Sequence, residues 1–246
     1  MFFKLAHTLA DGGCRVLTFD LFGRGYSDAP LGVAYDERLY VSQALYALSS
    51  SPLHWDRYTV VGYSLGGGIA VSFAESFANR IENLILVAPA GILKKNSADI
   101  LMRMSMAGYI PRAIEHWFVN RRASTTPKRF EGKVWEEGEV DLPRLMKWQA
   151  STHDGFIHAF LGSFRQGPIY GRQEEWKRVG ELGVRVGVVM AEKDDTIDLA
   201  LLPEMVKLLG GAERVETKVL GGAGHELVNS HAEDVADFVL EMLESS

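Results

Sequence analysis

The chain alternates short, nearly continuous apolar runs with longer segments in which apolar positions recur at helical spacing. RVLTFD (15–20) and YTVVGY (58–63) read as strands, rich in β-branched residues. So do the start of ENLILVAPAG (82–91), VRVGVVM within 184–195 and RVETKVL within 214–225. Between them, MFFKLAHTLADGG (1–13) reads as a short amphipathic helix. YDERLYVSQALYALSSS (35–51) places Leu39, Leu45, Tyr46 and Leu48 at helical spacing. LGGGIAVSFAESFAN (65–79) reads as a buried helix with a small-residue start, and ELVNSHAEDVADFVLEML (226–243) as a closing amphipathic helix. Strand–helix alternation with unbroken apolar strands predicts an α/β fold, a mostly parallel sheet with helices on both faces. The rhythm breaks over 92–180, which reads as helices without strands and holds Trp117, Trp135, Trp148 and Trp176. That stretch is expected to be a helical insertion over the sheet, with 1–91 and 181–246 forming the core.

Composition narrows this picture. Of 246 residues, 47% are hydrophobic and 24% charged, which suits a folded domain and not a disordered chain. The net charge of -6 and the scattered basic residues point to no nucleic-acid partner. The tightest basic cluster, Arg121-Arg122 to Lys128-Arg129, is short and reads as a solvated face. The single cysteine, Cys14, permits no intrachain disulfide and favours a reducing compartment such as the cytoplasm; directly after Gly12-Gly13 it reads as structural. No apolar run reaches the roughly 18 residues of a membrane span. The N-terminus also lacks the basic-then-apolar order of a signal peptide.

The densest chemical signal is VGYSLGGG (61–68). Gly62-Tyr63-Ser64-Leu65-Gly66 is a G-x-S-x-G motif between an expected strand and an expected helix. A serine on such a sharp turn takes a strained backbone conformation, and Gly62 and Gly66 are expected to lack side chains because strand and helix approach closely there. The helix start then offers free N–H groups to a developing oxyanion, with the Leu65 N–H as the first donor. No Lys-Ser/Thr follows the glycines, as a phosphate-binding loop would require, and Gly23-Arg24-Gly25 lacks the third glycine of a dinucleotide fingerprint. A nucleophilic serine needs a base and an orienting acid. His225 follows Gly221-Gly222-Ala223-Gly224 at a strand exit; His231 sits on the closing helix, and the other five histidines read as structural. HELVN (225–229) begins like a zinc-binding motif but has Asn229 in the second ligand position, so no metal site is expected. Asp194 and Asp195 lie in AEKDDTID, after the strand VRVGVVM, where parallel sheets carry their functional loops.

The order Ser64, Asp194, His225, together with DLFGRGYSD (20–28) and VLGGAGHE (219–226), resembles the serine-nucleophile branch of the α/β-hydrolase superfamily. The resemblance implies a cap where the insertion is placed. It also implies an acid at the end of a G-x-x-D stretch, here Ala191-Glu192-Lys193-Asp194, which favours Asp194 over Asp195 although Ala191 replaces the glycine. Ser64 separates the chain from the aspartate-nucleophile members, the epoxide hydrolases and haloalkane dehalogenases. What the resemblance then implies is hydrolysis of a carboxylic ester or related acyl bond of a small molecule through an acyl-enzyme, without a cofactor; the Trp and Met residues of the insertion point to an apolar acyl or alkyl group, although they equally suit the insertion's own core. Hydrolysis of a C–C bond next to a carbonyl is one alternative; a non-catalytic binding protein on the same fold is another. The first three family strands and the loop with the second oxyanion donor have no counterpart before the first helix. The chain is therefore expected to be an N-terminally truncated hydrolase. Its 15–20 and 58–63 strands would either pair directly or leave a gap.

Overall fold

The computed structural model describes residues 1–95, 111–123, 125–127 and 130–244. Four strands, β1 (Tyr58–Tyr63), β2 (Ile81–Val87), β3 (Arg185–Ala191) and β4 (Val215–Leu220), form one parallel sheet in the order β1-β2-β3-β4. Ten α-helices are described. They are α1 (Phe3–Asp11), α2 (Glu37–Ser50), α3 (Leu65–Phe77), α4 (Arg112–Ala123), α5 (Leu142–Thr152), α6 (Phe156–Gln166), α7 (Gln173–Glu181), α8 (Leu202–Leu208), α9 (Leu227–Ser230) and α10 (Ala232–Glu244).

The two central strands explain their own sequences. Leu84 to Val87 in β2 and Val188 to Ala191 in β3 are fully buried, since helices cover both faces and no position faces water. α1 packs on α10, and α2 and α7 pack on α3. Asp36 caps α2, its carboxylate accepting from the N–H groups of Arg38 and Leu39. The expected closing helix is divided at His231, whose ring is hydrogen-bonded to Ser230 Oγ.

One expected strand is not a strand. Residues 15–20 form no regular element and join no ladder, and β1 is the edge of the described sheet. A β-strand is completed by its neighbour's hydrogen bonds, and among the described residues no strand pairs with this segment. Val16 and Phe19 are exposed as a result. The following turn is held by a side chain: Gln43 Nε2 donates to the Asp20 carbonyl, and the Phe22 N–H donates to Gln43 Oε1. Of the two outcomes expected for 15–20 and 58–63, direct pairing does not occur.

Between β2 and β3 the described residues form helices α4 to α7 and no strand. Residues 96–110, 124, 128 and 129 of the expected insertion, the last two from its basic cluster, lie outside the described residues. Val119, Phe156, Ile157 and Leu161 of α4 and α6 form a separate apolar cluster with Met146 and Ala150 of α5. Trp176 of α7 instead lies fully buried in the main core, against Gly91. The Asp20–Asp28 loop is the platform on which α5 and α6 sit. The Gly25 N–H donates to Gln149, Arg24 donates to Ser163, and His153 Nε2 is paired with the Ser27 carbonyl. Gly25 has φ +56°, and a Cβ there would fall 2.1 Å from the Asp20 carboxylate, so only glycine fits.

Candidate active site

Ser64 lies between β1 and α3 with φ 52° and ψ −120°, a conformation that costs a non-glycine residue of order 1–3 kcal/mol. The turn is pinned from β2. The Ser64 N–H donates to the Val87 carbonyl, and the Ser64 carbonyl accepts from the N–H groups of Ala90 and Gly67. A Cβ on Gly62 would fall 2.4 Å from the Gly66 carbonyl oxygen and 2.6 Å from Ala70 Cβ. Gly67 would meet Pro89 at 2.5 Å and Gly68 the Pro168 carbonyl at 2.0 Å. Gly66 is different, because a Cβ there meets nothing within 4 Å. The expectation that Gly66 makes room for strand–helix contact is therefore corrected. Crowding falls on Gly62, Gly67 and Gly68, while Gly66 faces open space. The Leu65 N–H opens α3 and, among the described residues, donates to no group.

The structure brings the three separated candidates together. Ser64 Oγ lies 2.9 Å from His225 Nε2, and His225 Nδ1 lies 2.8 Å from Asp194 Oδ2. With the Nδ1 proton donated to the carboxylate, Nε2 is left to accept from the serine hydroxyl. The Asp194 carboxylate is fully buried, and its second oxygen accepts from the Thr196 and Ile197 N–H groups at 2.8 and 2.9 Å. Burial alone would raise its pKa. The hydrogen bond and electrostatic attraction of His225, then the two backbone N–H groups, outweigh this and hold it below its ordinary 3.8. Asp195 is exposed and accepts from the Thr196 hydroxyl. The remaining histidines stay away from this line; His153, for example, binds the Ser27 and Asp154 carbonyls.

Two contributors escape a reading of the sequence. Tyr63, the variable residue before the serine, donates its hydroxyl to the His225 carbonyl at 2.7 Å, and the two rings lie 5.2 Å apart. It ties the end of β1 to the loop that carries the imidazole. Its position inside the motif was the available signal. Glu192, beside the acid in the AEKDDTID loop, accepts with its carboxylate from the Gly222 N–H at 2.7 Å. The Glu192 and Lys193 N–H groups also donate to the carbonyls of Leu220 and Ala223. The Asp194 loop and the His225 loop are thus stitched together across the ends of β3 and β4.

A hydroxyl, a buried carboxylate and an imidazole, in that chain order, stand at the carboxyl ends of a parallel sheet wrapped by helices. The chain belongs to the α/β hydrolase fold family, whose sequence model matches residues 1–232. It is 27% identical over 233 residues to the 2-hydroxymuconate semialdehyde hydrolase of Pseudomonas sp. (strain CF600), covering 93% of this chain and 76% of that protein. It is also 27% identical over 226 residues to a putative 2-succinyl-6-hydroxy-2,4-cyclohexadiene-1-carboxylate synthase of Bacillus subtilis, covering 86% and 74%. Among solved structures, it matches the meta-cleavage product hydrolase from Pseudomonas fluorescens IP01 with a TM-score of 0.70 and 20% identity, over 98% of this chain and 84% of that one. Among the described residues no helix is long and apolar enough to cross a membrane.

Proposed function

We propose that the chain is a serine hydrolase that cleaves a carboxylic ester or related acyl bond of a small molecule, with Ser64 as nucleophile, His225 as base and Asp194 as orienting acid. The observation that carries this reading is the continuous hydrogen-bonded line from Ser64 Oγ through both ring nitrogens to the buried Asp194 carboxylate. His225 Nε2 takes the hydroxyl proton as Ser64 Oγ attacks a carbonyl carbon. The Leu65 N–H, at the start of α3, receives the oxyanion. His225 then returns the proton to the leaving group. In the second half, water attacks the acyl-enzyme with His225 again as base, and Ser64 is released. Asp194 stays ionised throughout and stabilises the imidazolium. The helices of 92–180 act as a cap over this site, docked through the 20–28 loop.

A second reading, hydrolysis of a C–C bond next to a carbonyl, is favoured by the likeness to the 2-hydroxymuconate semialdehyde hydrolase over 93% of the chain. It uses the same residues, with a carbanion in place of an alkoxide as the leaving group. Side-by-side turnover of p-nitrophenyl esters of short and long acyl chains and of a vinylogous diketone separates the two. The ester reading expects the larger kcat/KM on an ester; a preference for the diketone by about tenfold or more, some 1.4 kcal/mol in transition-state binding, transfers the assignment to the second.

A further inference from the structure

We propose that Asn229 is a positioning residue for His225. Its buried amide joins the turn that follows the imidazole to the start of helix α5, so that seating of the proposed cap and placement of the base are one event. This role rests on the reading of His225 as base. In HELVN (225–229), Asn229 stands where a zinc-binding motif would carry its second ligand. The structure gives that amide a different task. Asn229 is 1% exposed, its Oδ1 accepts from the Val140 N–H at 2.8 Å, and its Nδ2 donates to the Val140 carbonyl at 3.1 Å. Both polar atoms of one side chain thus engage both backbone groups of a residue 89 positions away. An amide sets a donor and an acceptor side by side, which an ionised carboxylate, accepting only, cannot do.

Asn229 lies one helical turn beyond the imidazole. α9 begins directly after Glu226, and the Asn229 N–H closes its first turn on the Glu226 carbonyl at 2.8 Å. A helix of four residues does not hold itself, because nucleation fixes several residues for one hydrogen bond. Its place comes from tertiary contacts. Leu227 and Val228 are fully buried in the main core, and Asn229, the next position round the helix, is held by Val140. Successive helix positions lie about 100° apart, so these contacts fix the turn from three directions. The backbone is also fixed at His225 itself, whose carbonyl accepts from Tyr63.

On the other side, Val140 directly precedes Asp141, whose carboxylate caps α5 by accepting from the Arg144 N–H. Near the far end of α5, Gln149 accepts from the Gly25 N–H. The helix therefore spans from the 20–28 loop to the His225 turn. The chain leading into Val140 has a second link to the core through Lys4 on α1, 3.9 Å from Glu136 and 3.2 Å from Glu233. Both carboxylates are exposed, so this link is weak and the buried amide is the main tie.

Asn229→Leu keeps the outline of the side chain and removes both hydrogen bonds. The test compares it with the native chain by thermal melt, ester kinetics, hydrogen exchange and the low-field proton resonance of the His225–Asp194 hydrogen bond. In the folded variant kcat is expected to fall about tenfold or more with KM unchanged, since a displaced base slows the chemistry and leaves substrate contacts alone. The His225 Nδ1 proton resonance is expected to broaden or vanish, and exchange to quicken both at 140–146 and at 225–230. Asn229→Asp keeps the acceptor but sets a second oxygen against the Val140 carbonyl. It is expected to show the same changes, and it carries the test if the leucine variant does not fold. A folded variant with native kcat and an unchanged resonance would overturn the proposal. So would a raised KM at constant kcat, which would assign the tie to substrate contacts of the cap. A native chain with neither turnover nor labelling at Ser64 overturns the serine reading itself; native activity indifferent to Asn229 overturns this role alone.

Discussion

Ser64 holds a backbone conformation that its neighbours enforce, and the enforcement is uneven. Adding a methyl group at Gly62 drives a carbon into the backbone of Gly66, so Gly62→Ala is expected to destabilise by about 1–3 kcal/mol, as overpacking does. Gly66→Ala meets open space and gains helix propensity, so it is expected to be neutral or stabilising by up to about 1 kcal/mol. Denaturant midpoints of the two variants check the contrast, and equal losses would refute it. Asp194 gives a second expectation at this scale. Its folded-state pKa lies below the ordinary 3.8, so its contribution to stability is fully present above that value and disappears as pH falls through the lowered pKa. Unfolding midpoints followed from neutral pH into acid are expected to fall less steeply in Asp194→Asn than in the native chain. In the same variant turnover is expected to fall by about 10⁴-fold, because Asn can hold the wrong imidazole tautomer.

At the scale of elements, the site depends on loops tied to one another at the ends of the strands. Tyr63 fastens the His225 loop to β1, and Glu192 fastens it to the loop after β3. Tyr63→Phe removes one hydrogen bond and keeps the ring. The expected loss is about 1 kcal/mol of stability, with kcat lowered and KM unchanged, since the imidazole loosens without any change to substrate contacts. A rise in KM at constant kcat would assign Tyr63 to substrate binding instead. Gln43 plays the comparable part for the 20–28 loop. Gln43→Ala leaves the Phe22 N–H without a partner and takes one of two donors, the other being the Ser27 hydroxyl, from the Asp20 carbonyl; it is expected to cost about 1–3 kcal/mol. Hydrogen exchange at residues 20–28 is expected to speed up while exchange in β2 and β3 is unchanged. What was legible at this scale followed pairing. β1, β2 and β3 show in the sequence because each lies in the sheet and its burial is written in apolar, β-branched runs; β4, mostly exposed, shows through its β-branched residues and the glycine loop that follows. RVLTFD has a similar composition, yet among the described residues no strand pairs with it and it joins no ladder; composition records a preference, whereas a strand belongs to two segments at once.

In the whole molecule, the Ser, Asp and His candidates were legible because a G-x-S-x-G turn and the loops after two parallel strands converge at one end of such a sheet. Their second layer was not, since Tyr63 and Glu192 act through contacts between residues far apart in the chain. The apolar Trp and Met positions of 92–180 say less about substrate than they suggest. Trp176 fills the main core, and Met146 packs in the cluster of α4, α5 and α6. Substrate choice is thus left to chemistry at the carbonyl carbon, where ester and C–C cleavage share the nucleophile. That nucleophile is the central claim, and covalent labelling with a fluorophosphonate tests it most directly. Intact mass and peptide mapping of the folded chain are expected to place one adduct on Ser64, formed at least about 10³-fold more slowly in His225→Ala, which keeps the hydroxyl but removes its base. No adduct at Ser64 in a folded sample, or labelling indifferent to His225, would contradict the account.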